Sequence, residues 1–238
     1  MDNFDIADGG WSKSAKAWIA SQGKLGDHSR REILDPALVD IIGPVDGNDI
    51  LDVGCGEGRY ARTLAALGAN VTGLDIVDEF IARARNLHPD GIYFVGSAEE
   101  LPFADQSFDL VLSYLSLIDV PDYKRAITEM CRVTKRDGRI VFVTVSNFNV
   151  TATGWERDKQ GRKLHRAVDD YMEERILDLE WNGIRIRNFH RPMSAVLSEF
   201  FRSGALMDGF YEPLPAPDSP AYADEFRAPC FQIMTFRF

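Results

Sequence analysis

The most restrictive feature of this chain is an apolar strand pattern that runs into a helix through glycine. Ile50-Leu51-Asp52-Val53 leads into Gly54-Cys55-Gly56-Glu57-Gly58, and Arg59 to Leu67 follows as a helical stretch stopped by Gly68. Glycine at three alternate positions leaves the backbone without Cβ atoms, so a ligand can reach the peptide groups at the strand–helix junction. The alternation continues downstream. Strand patterns at 49–53, 70–74, 92–95, 108–113 and 139–145 interleave with helical patterns at 57–67, 78–87, 98–101 and 122–133. Strand and helix in regular succession predict right-handed crossovers and a parallel sheet covered on both faces. Ile140-Val141-Phe142-Val143 has no polar face and suits a strand buried on both sides.

The flanks are of a different texture. Trp11, Ala15, Trp18 and Ile19 fall on one face of an amphipathic helix. Asp35-Pro36 reads as an N-cap followed by proline at the first helical position, opening a helix over 37–42. Beyond the fifth strand, 146–171 reads as polar loop, with a helix near 164–172. Asn182-Gly183 then predicts a hairpin between 175–181 and 184–190. Pairing across that turn opposes Trp181 with Ile184 and Leu179 with Ile186, placing apolar residues on one face. Met193, Val196, Leu197, Phe200 and Phe201 predict a helix ended by Gly204, and a strand, a proline-rich loop at 212–220 and a last strand close the chain. The expected organisation is a helical cap (1–48), a ligand-binding core (49–145), a lid insertion (146–190) and a C-terminal helix and strand pair (191–238) completing the core.

At 238 residues and 45% hydrophobic content, the chain supports one sizeable α/β domain. A formal net charge of −10 opposes binding to nucleic acid, and the basic cluster from Arg157 to Arg166 is broken by Asp158. Three cysteines at unrelated spacings make neither a disulfide framework nor a zinc motif, which fits a reducing compartment. The first residues lack the pattern of a signal peptide, and no apolar run approaches spanning length. A soluble, cytoplasmic protein without membrane or nucleic-acid partners is expected, as a monomer or a homodimer.

The chemistry of the glycine loop narrows its ligand. No Walker lysine follows Gly58, which excludes a nucleoside-triphosphate loop. A nicotinamide fingerprint needs its third glycine one residue later than Gly58. Asp52, two residues before the first glycine, would repel a pyrophosphate and suits a cationic or amino-bearing ligand. Asp75, at the end of the second strand, is placed to take ribose hydroxyls.

Together, Ile50 to Gly58 and Thr72-Gly73-Leu74-Asp75 resemble the class I S-adenosylmethionine-dependent methyltransferases. The likeness continues through Gly96 to Phe103, Ser107 to Val111 and the Arg132–Gly138 turn, covering 49–145. It implies a doubly wound, mostly parallel seven-stranded sheet of Rossmann-like form, with S-adenosylmethionine as cofactor and S-adenosylhomocysteine as product. It also implies that Gly54, Cys55, Gly56 and Gly58 admit the methionine and ribose portions, with Asp52 near the methionyl ammonium. Asp75 would hold the ribose hydroxyls, Ile76 would lie against adenine, and Ser97, Ala98 and Glu99 would border its edge. Ser113 and Tyr114 would sit beside the sulfonium. Ser97 stands where the family often has an acid. Ile118-Asp119 stands where many relatives carry a histidine pair, so the role of those histidines is not carried over.

Methyl transfer from a sulfonium is an in-line displacement in which alignment supplies roughly 7–11 kcal/mol in the best intramolecular cases. A base adds about two to four orders of magnitude. The candidate catalytic side chains are Tyr114 and His190; His28 and His165 fall in cap and lid segments, and His88 at a helix end. Too few acids follow the fourth strand for a magnesium site, so no metal is expected. Trp11, Trp18, Tyr171 and Trp181, with Phe189 and Tyr211, predict an aromatic acceptor lining. The expected activity is methylation of an oxygen or nitrogen on a small, apolar or aromatic acceptor. The alternatives are a catalytically silent adenosylmethionine-binding module and a nucleic-acid or protein methyltransferase.

Overall fold

The computed structural model describes residues 8–23, 25–150, 152–217 and 227–238. Expectations for the first seven residues and for 218–226 lie outside the described residues. The elements run α1 (Trp11–Gln22), a π-helical turn (Arg30–Leu34), α2 (Asp35–Ile42), β1 (Asp49–Val53), α3 (Arg59–Ala66), β2 (Asn70–Asp75), α4 (Asp78–Leu87), β3 (Ile92–Val95) and β4 (Phe108–Tyr114). A 3₁₀ turn (Leu117–Asp119), α5 (Tyr123–Val133), β5 (Thr134–Val145), α6 (Asn147–Val150), β6 (Ala152–Arg157) and β7 (Lys163–Val168) follow. The chain closes with β8 (Arg175–Trp181), β9 (Ile184–His190), α7 (Met193–Arg202), β10 (Leu206–Tyr211) and β11 (Phe231–Arg237).

Seven strands form one sheet in the order β10-β11-β5-β4-β1-β2-β3. Strands β1 to β5 pair in parallel, and β11 joins antiparallel to both β5 and β10. This is the doubly wound Rossmann-like methyltransferase sheet. Its strand order reverses between β1 and β4, and such sheets bind ligands at that point, outside the carboxyl ends of the strands. Successive residues of β4 serve opposite faces: Val111 packs with α5 and α7, while Leu110 and Leu112 pack with α2 and α3. Phe200 of α7 stacks on Phe236 with ring centroids 4.1 Å apart and contacts Phe142 at 5.6 Å.

The structure corrects several local expectations. The polar stretch 146–171 contains the β6–β7 ribbon, and no helix forms near 164–172. Charged residues occupy both faces of that ribbon, and its apolar contacts are ring–cation pairs such as Arg166 over Trp155 at 5.0 Å, so no period-2 pattern betrays it. Residues 98–101 form a turn rather than a helix, because the Ser97 hydroxyl accepts the Glu99 N–H at 3.1 Å. The third helix starts at Arg59 rather than at 57. Gly58 has φ 72°, a left-handed conformation that ends the loop. Asp35 is not an N-cap, since the π-helical turn runs directly into α2 through it. The fifth strand begins at Thr134, which pairs with Phe108 across a bulge, so 134–138 is strand rather than turn. The hairpin pairs Trp181 with Ile184 and Leu179 with Ile186.

Replacing Phe200, which is fully buried between two rings, with alanine leaves a cavity that the rigid sheet cannot close. Phe200→Ala should lower unfolding free energy by about 3–5 kcal/mol in urea titrations, with an unchanged dependence on denaturant.

Candidate functional site

A cavity of about 550 Å³ opens at the carboxyl ends of β1, β2 and β4. Its floor is the glycine loop. Gly54 and Cys55 both donate their N–H groups to the Leu74 carbonyl, at 2.7 and 3.0 Å, which lays the loop across the end of β2. A Cβ on Gly54 would come within 2.3 Å of the Ser116 Cβ, so only glycine lets the loop after β4 approach β1. Ser116 uses that proximity, donating its hydroxyl to the Val53 carbonyl at 2.6 Å and lying 3.0 Å from the Ser113 Oγ. Leu115 holds φ 56° to make the bend, an unfavourable conformation for a leucine at the edge of a ligand cavity.

Two carboxylates meet at this loop. Asp75 accepts the Gly56 N–H at 2.8 Å and the Val77 N–H at 2.9 Å. Burial nevertheless pushes its pKa up to about 6, against the lowering effect of those N–H groups. Asp52, only 2% exposed, has an oxygen with no hydrogen-bond partner among the described residues. Burial, with the nearby Asp75 charge, raises Asp52 to about 7, and Arg59 offsets only part of this. A buried carboxylate without a cation is an unfavourable arrangement by itself. It is the complement of a ligand bearing an ammonium, and in this respect the residues present fit the methionyl end of S-adenosylmethionine.

The cap side of the cavity is cationic and aromatic. Arg59 forms a two-point ion pair with Asp35 at 2.5 and 3.0 Å, and Tyr114 donates its hydroxyl to the same carboxylate at 2.8 Å. Burial and the Asp35 charge push the Tyr114 pKa well above the ordinary phenol value. Arg30, paired with Asp27, lies over the Trp18 ring at 5.0 Å and the Tyr114 ring at 5.7 Å. Trp11 packs edge-on against Trp18 at 5.2 Å.

The roof is built from distant segments. The Arg187 N–H donates to the Gly9 carbonyl at 2.8 Å, and the Ser14 hydroxyl both accepts from the Arg185 N–H at 3.0 Å and donates to its carbonyl at 2.9 Å. These bonds dock α1 along β9. Asn188 of β9 donates its side-chain N–H to the Asp119 carboxylate, tying the hairpin to the turn after β4.

Of the residues singled out in the sequence, Asp52, Gly54, Cys55, Gly56, Asp75, Ile76, Ser97, Ala98, Glu99, Ser113, Tyr114, Trp11, Trp18 and Trp181 line this one cavity. Gly58 does not: a Cβ there would meet the Tyr93 ring at 2.9 Å and the Ala84 Cβ at 3.0 Å, so its glycine packs the loop against β3 and α4. His190 lies away from the cavity. It is 1% exposed, and its Nε2 lies 2.8 Å from the Tyr171 carbonyl oxygen behind the lid hairpin. Tyr171 is likewise outside, stacked with Phe148 and edge-on to His190. Phe189 and Tyr211 also lie elsewhere; Phe189 carries the Arg191 guanidinium at 4.7 Å. Among the described residues no group of three or more potential ligands could hold a metal ion.

Sequence reasoning missed Arg30, Arg59, Ser116, Asp119 and Asn188, all of which line the cavity. Asp119 carried a signal, since it stands where many relatives have a histidine. The arginines and Asn188 carried none, because their approach depends on how the flanking segments fold over the core.

With this geometry in place, comparison with known proteins identifies the class. A family model described as a methyltransferase domain matches residues 51–142. A demethylmenaquinone methyltransferase from Renibacterium salmoninarum is 30% identical over 195 residues, covering 71% of this chain and 81% of that protein. A malonyl-[acyl-carrier protein] O-methyltransferase from Erwinia billingiae is 41% identical over 100 residues, covering 42% of this chain and 40% of that one. The chain spans about half the length of the malonyl-carrier enzymes it matches. An S-adenosylmethionine-dependent methyltransferase structure from Mesorhizobium loti superposes with a TM-score of 0.77 at 30% identity, covering 85% of this chain and 96% of that one. The chain belongs to the class I S-adenosylmethionine-dependent methyltransferases.

Asp52 supplies a test with a definite sign. Its pKa in the fold is raised, so between about pH 4 and pH 7 the unfolded chain loses a proton that the folded one keeps, and stability without ligand falls as pH rises through that window. Asp52→Asn should therefore raise the melting temperature of the ligand-free protein at neutral pH. The same change should weaken S-adenosylmethionine binding roughly 10- to 100-fold by calorimetry, as expected for loss of a charge-assisted hydrogen bond.

Proposed function

We propose that this enzyme methylates a hydroxyl or amino group on a small, neutral, largely aromatic molecule. The observation that carries the reading is the unpartnered oxygen of buried Asp52 beside the glycine loop, in a cavity that Trp11, Trp18, Trp181 and Tyr114 also line, together with charged groups such as Arg30 and Asp119. S-adenosylmethionine, when bound, supplies the methyl group on a positively charged sulfur. Asp52 would hold the ammonium, and Asp75 would take the ribose hydroxyls on the lone pairs not used by Gly56 and Val77. The Ser97 hydroxyl accepts from Glu99, which leaves its proton available to the adenine edge. Arg30, which is paired with Asp27 through one guanidinium nitrogen only, would take the methionine carboxylate, because both terminal nitrogens of Arg59 are engaged by Asp35.

The acceptor is then confined between the Trp11–Trp18 pair and the Trp181 hairpin. Carboxylates outnumber arginines around this cavity, which disfavours an acceptor carrying its own carboxylate, such as a malonyl group. A flat ring system carrying a hydroxyl fits the tryptophan-lined side of the cavity better. Tyr114 stays a protonated phenol hydrogen-bonded to Asp35, so its part is to orient Arg59 and present its ring to the cavity. The lid hairpin and α1 exclude water and align the acceptor, the contribution most able to accelerate an in-line transfer.

Asp75→Ala should weaken S-adenosylmethionine and S-adenosylhomocysteine binding by roughly 1–3 kcal/mol in calorimetry. It should also loosen the loop, through loss of the bond to Gly56. Trp18→Ala should leave cofactor affinity within about three-fold and raise the KM for aromatic acceptors, measured by release of S-adenosylhomocysteine. Equal loss of cofactor and acceptor affinity in that variant would contradict the assignment of the tryptophan face to the acceptor.

A further inference from the structure

Asp119 lines the cavity and has no part in holding the cofactor. It ends the 3₁₀ turn three residues beyond Ser116, the residue that touches Gly54. Asn188 donates to its Oδ1, and the Trp11 indole hydrogen-bonds to the same carboxyl group. Three segments far apart in sequence thus converge to fix one carboxyl group in the wall between the glycine loop and the tryptophan face. Below it, the Arg191 guanidinium donates to the Leu117, Val120 and Pro121 carbonyls at 3.0, 2.5 and 3.0 Å, which holds the turn that carries Asp119.

We propose that Asp119 is the proton acceptor of the methyl transfer, taking the proton of a hydroxyl acceptor as that oxygen's lone pair bonds to the methyl carbon. This rests on the aromatic-acceptor reading given above. The step balances. The acceptor O–H bond breaks and the proton passes to the Asp119 carboxylate. The carbon–sulfur bond breaks with its electron pair leaving on sulfur, so the positive sulfur and the negative carboxylate are neutralised together. No other reactant is required.

The electrostatics of the turn suit the task. Burial, aided by the charge of Asp75 on β2, pushes Asp119 up to about 8, while Trp11, Asn188 and Arg191 act against the rise. Asp8, ahead of α1, is engaged by the Gly10 and Ser12 N–H groups at 2.8 and 2.9 Å. In the empty cavity Asp119 therefore holds its proton at neutral pH. A cation entering the cavity favours the ionised form, so binding of the positively charged cofactor prepares the base that the reaction needs.

The first test needs no acceptor. Calorimetry of S-adenosylmethionine binding at pH 7.5, in phosphate and in Tris, reads proton release from the difference in heats. The wild-type protein should release protons; Asp119→Asn, which keeps the shape of the side chain, should release fewer while binding within ten-fold of wild type. The second test uses 2-naphthol, which must lose a proton, and 2-naphthalenethiol, which is already ionised at neutral pH. Asp119→Asn should cut naphthol turnover by about 10²–10⁴-fold and leave thiol turnover within about three-fold. Asn188→Leu removes a bond that lowers the Asp119 pKa and should move the acidic limb of the naphthol profile to higher pH. Unchanged proton release in Asp119→Asn, or equal loss of both probes, would overturn the inference. Turnover of neither probe by the wild-type protein with cofactor bound would also overturn it, together with the acceptor class. Failure of the wild-type protein to bind S-adenosylmethionine would instead strike at the cofactor assignment.

Discussion

Everything in the site depends on two buried carboxylates held side by side, with Arg59 offsetting only part of the cost at Asp52. Asp52 and Asp75 end adjacent parallel strands, and the register that pairs Val53 with Leu74 brings them to the same end of the sheet. Asp75 is tolerated because it accepts two backbone N–H groups, one of them from Gly56, and so doubles as the clamp that shapes the glycine loop. Asp52 has no such compensation for one of its oxygens. The folded protein thus carries an unfavourable buried carboxylate, of the kind that a ligand with an ammonium would relieve. A local rule is broken at the functional site, and the extensive core around β4 and β5 provides the stability that allows it.

The same balance explains the bend after β4. Ser116 can reach the Val53 carbonyl only because Gly54 lacks a side chain and because Leu115 adopts a left-handed conformation. That bend carries the chain up the wall of the cavity to Asp119, where α1 and β9 meet it. Hydrogen bonds at Ser14 and Gly9 join α1 and its approach to β9 across more than 170 residues, and the Asn188 bond to Asp119 spans 69. The roof is therefore a composite, built from no single segment of the chain.

The glycine-loop side of the cavity was legible because its parts lie close in sequence and each residue type has a local reason. Glycines bare a loop, Asp52 precedes it, and Asp75 ends the next strand. The Asn182-Gly183 turn likewise specified its own hairpin register through adjacent apolar pairs. The failures share a cause of the opposite kind. His190 looked available for chemistry because it borders the lid, yet it lies buried against the Tyr171 carbonyl. The β6–β7 ribbon went unread because its contacts are between rings and cations rather than along an apolar stripe. Gly58 looked like part of the ligand cradle, but the Tyr93 ring and Ala84 are what demand its small size.

The sequence by itself determined the order of strands and helices and the glycine loop with its two acids. Backbone conformational preference and hydrophobic periodicity act over a few residues, and those features need nothing more. Only the tertiary structure decided which groups line the cavity together. Whether Asp119, Asn188, Arg30 and the tryptophans share a cavity depends on how α1 and β9 dock over the sheet edge. That docking comes from hydrogen bonds and ring contacts between segments remote in the chain, and no local spacing records it.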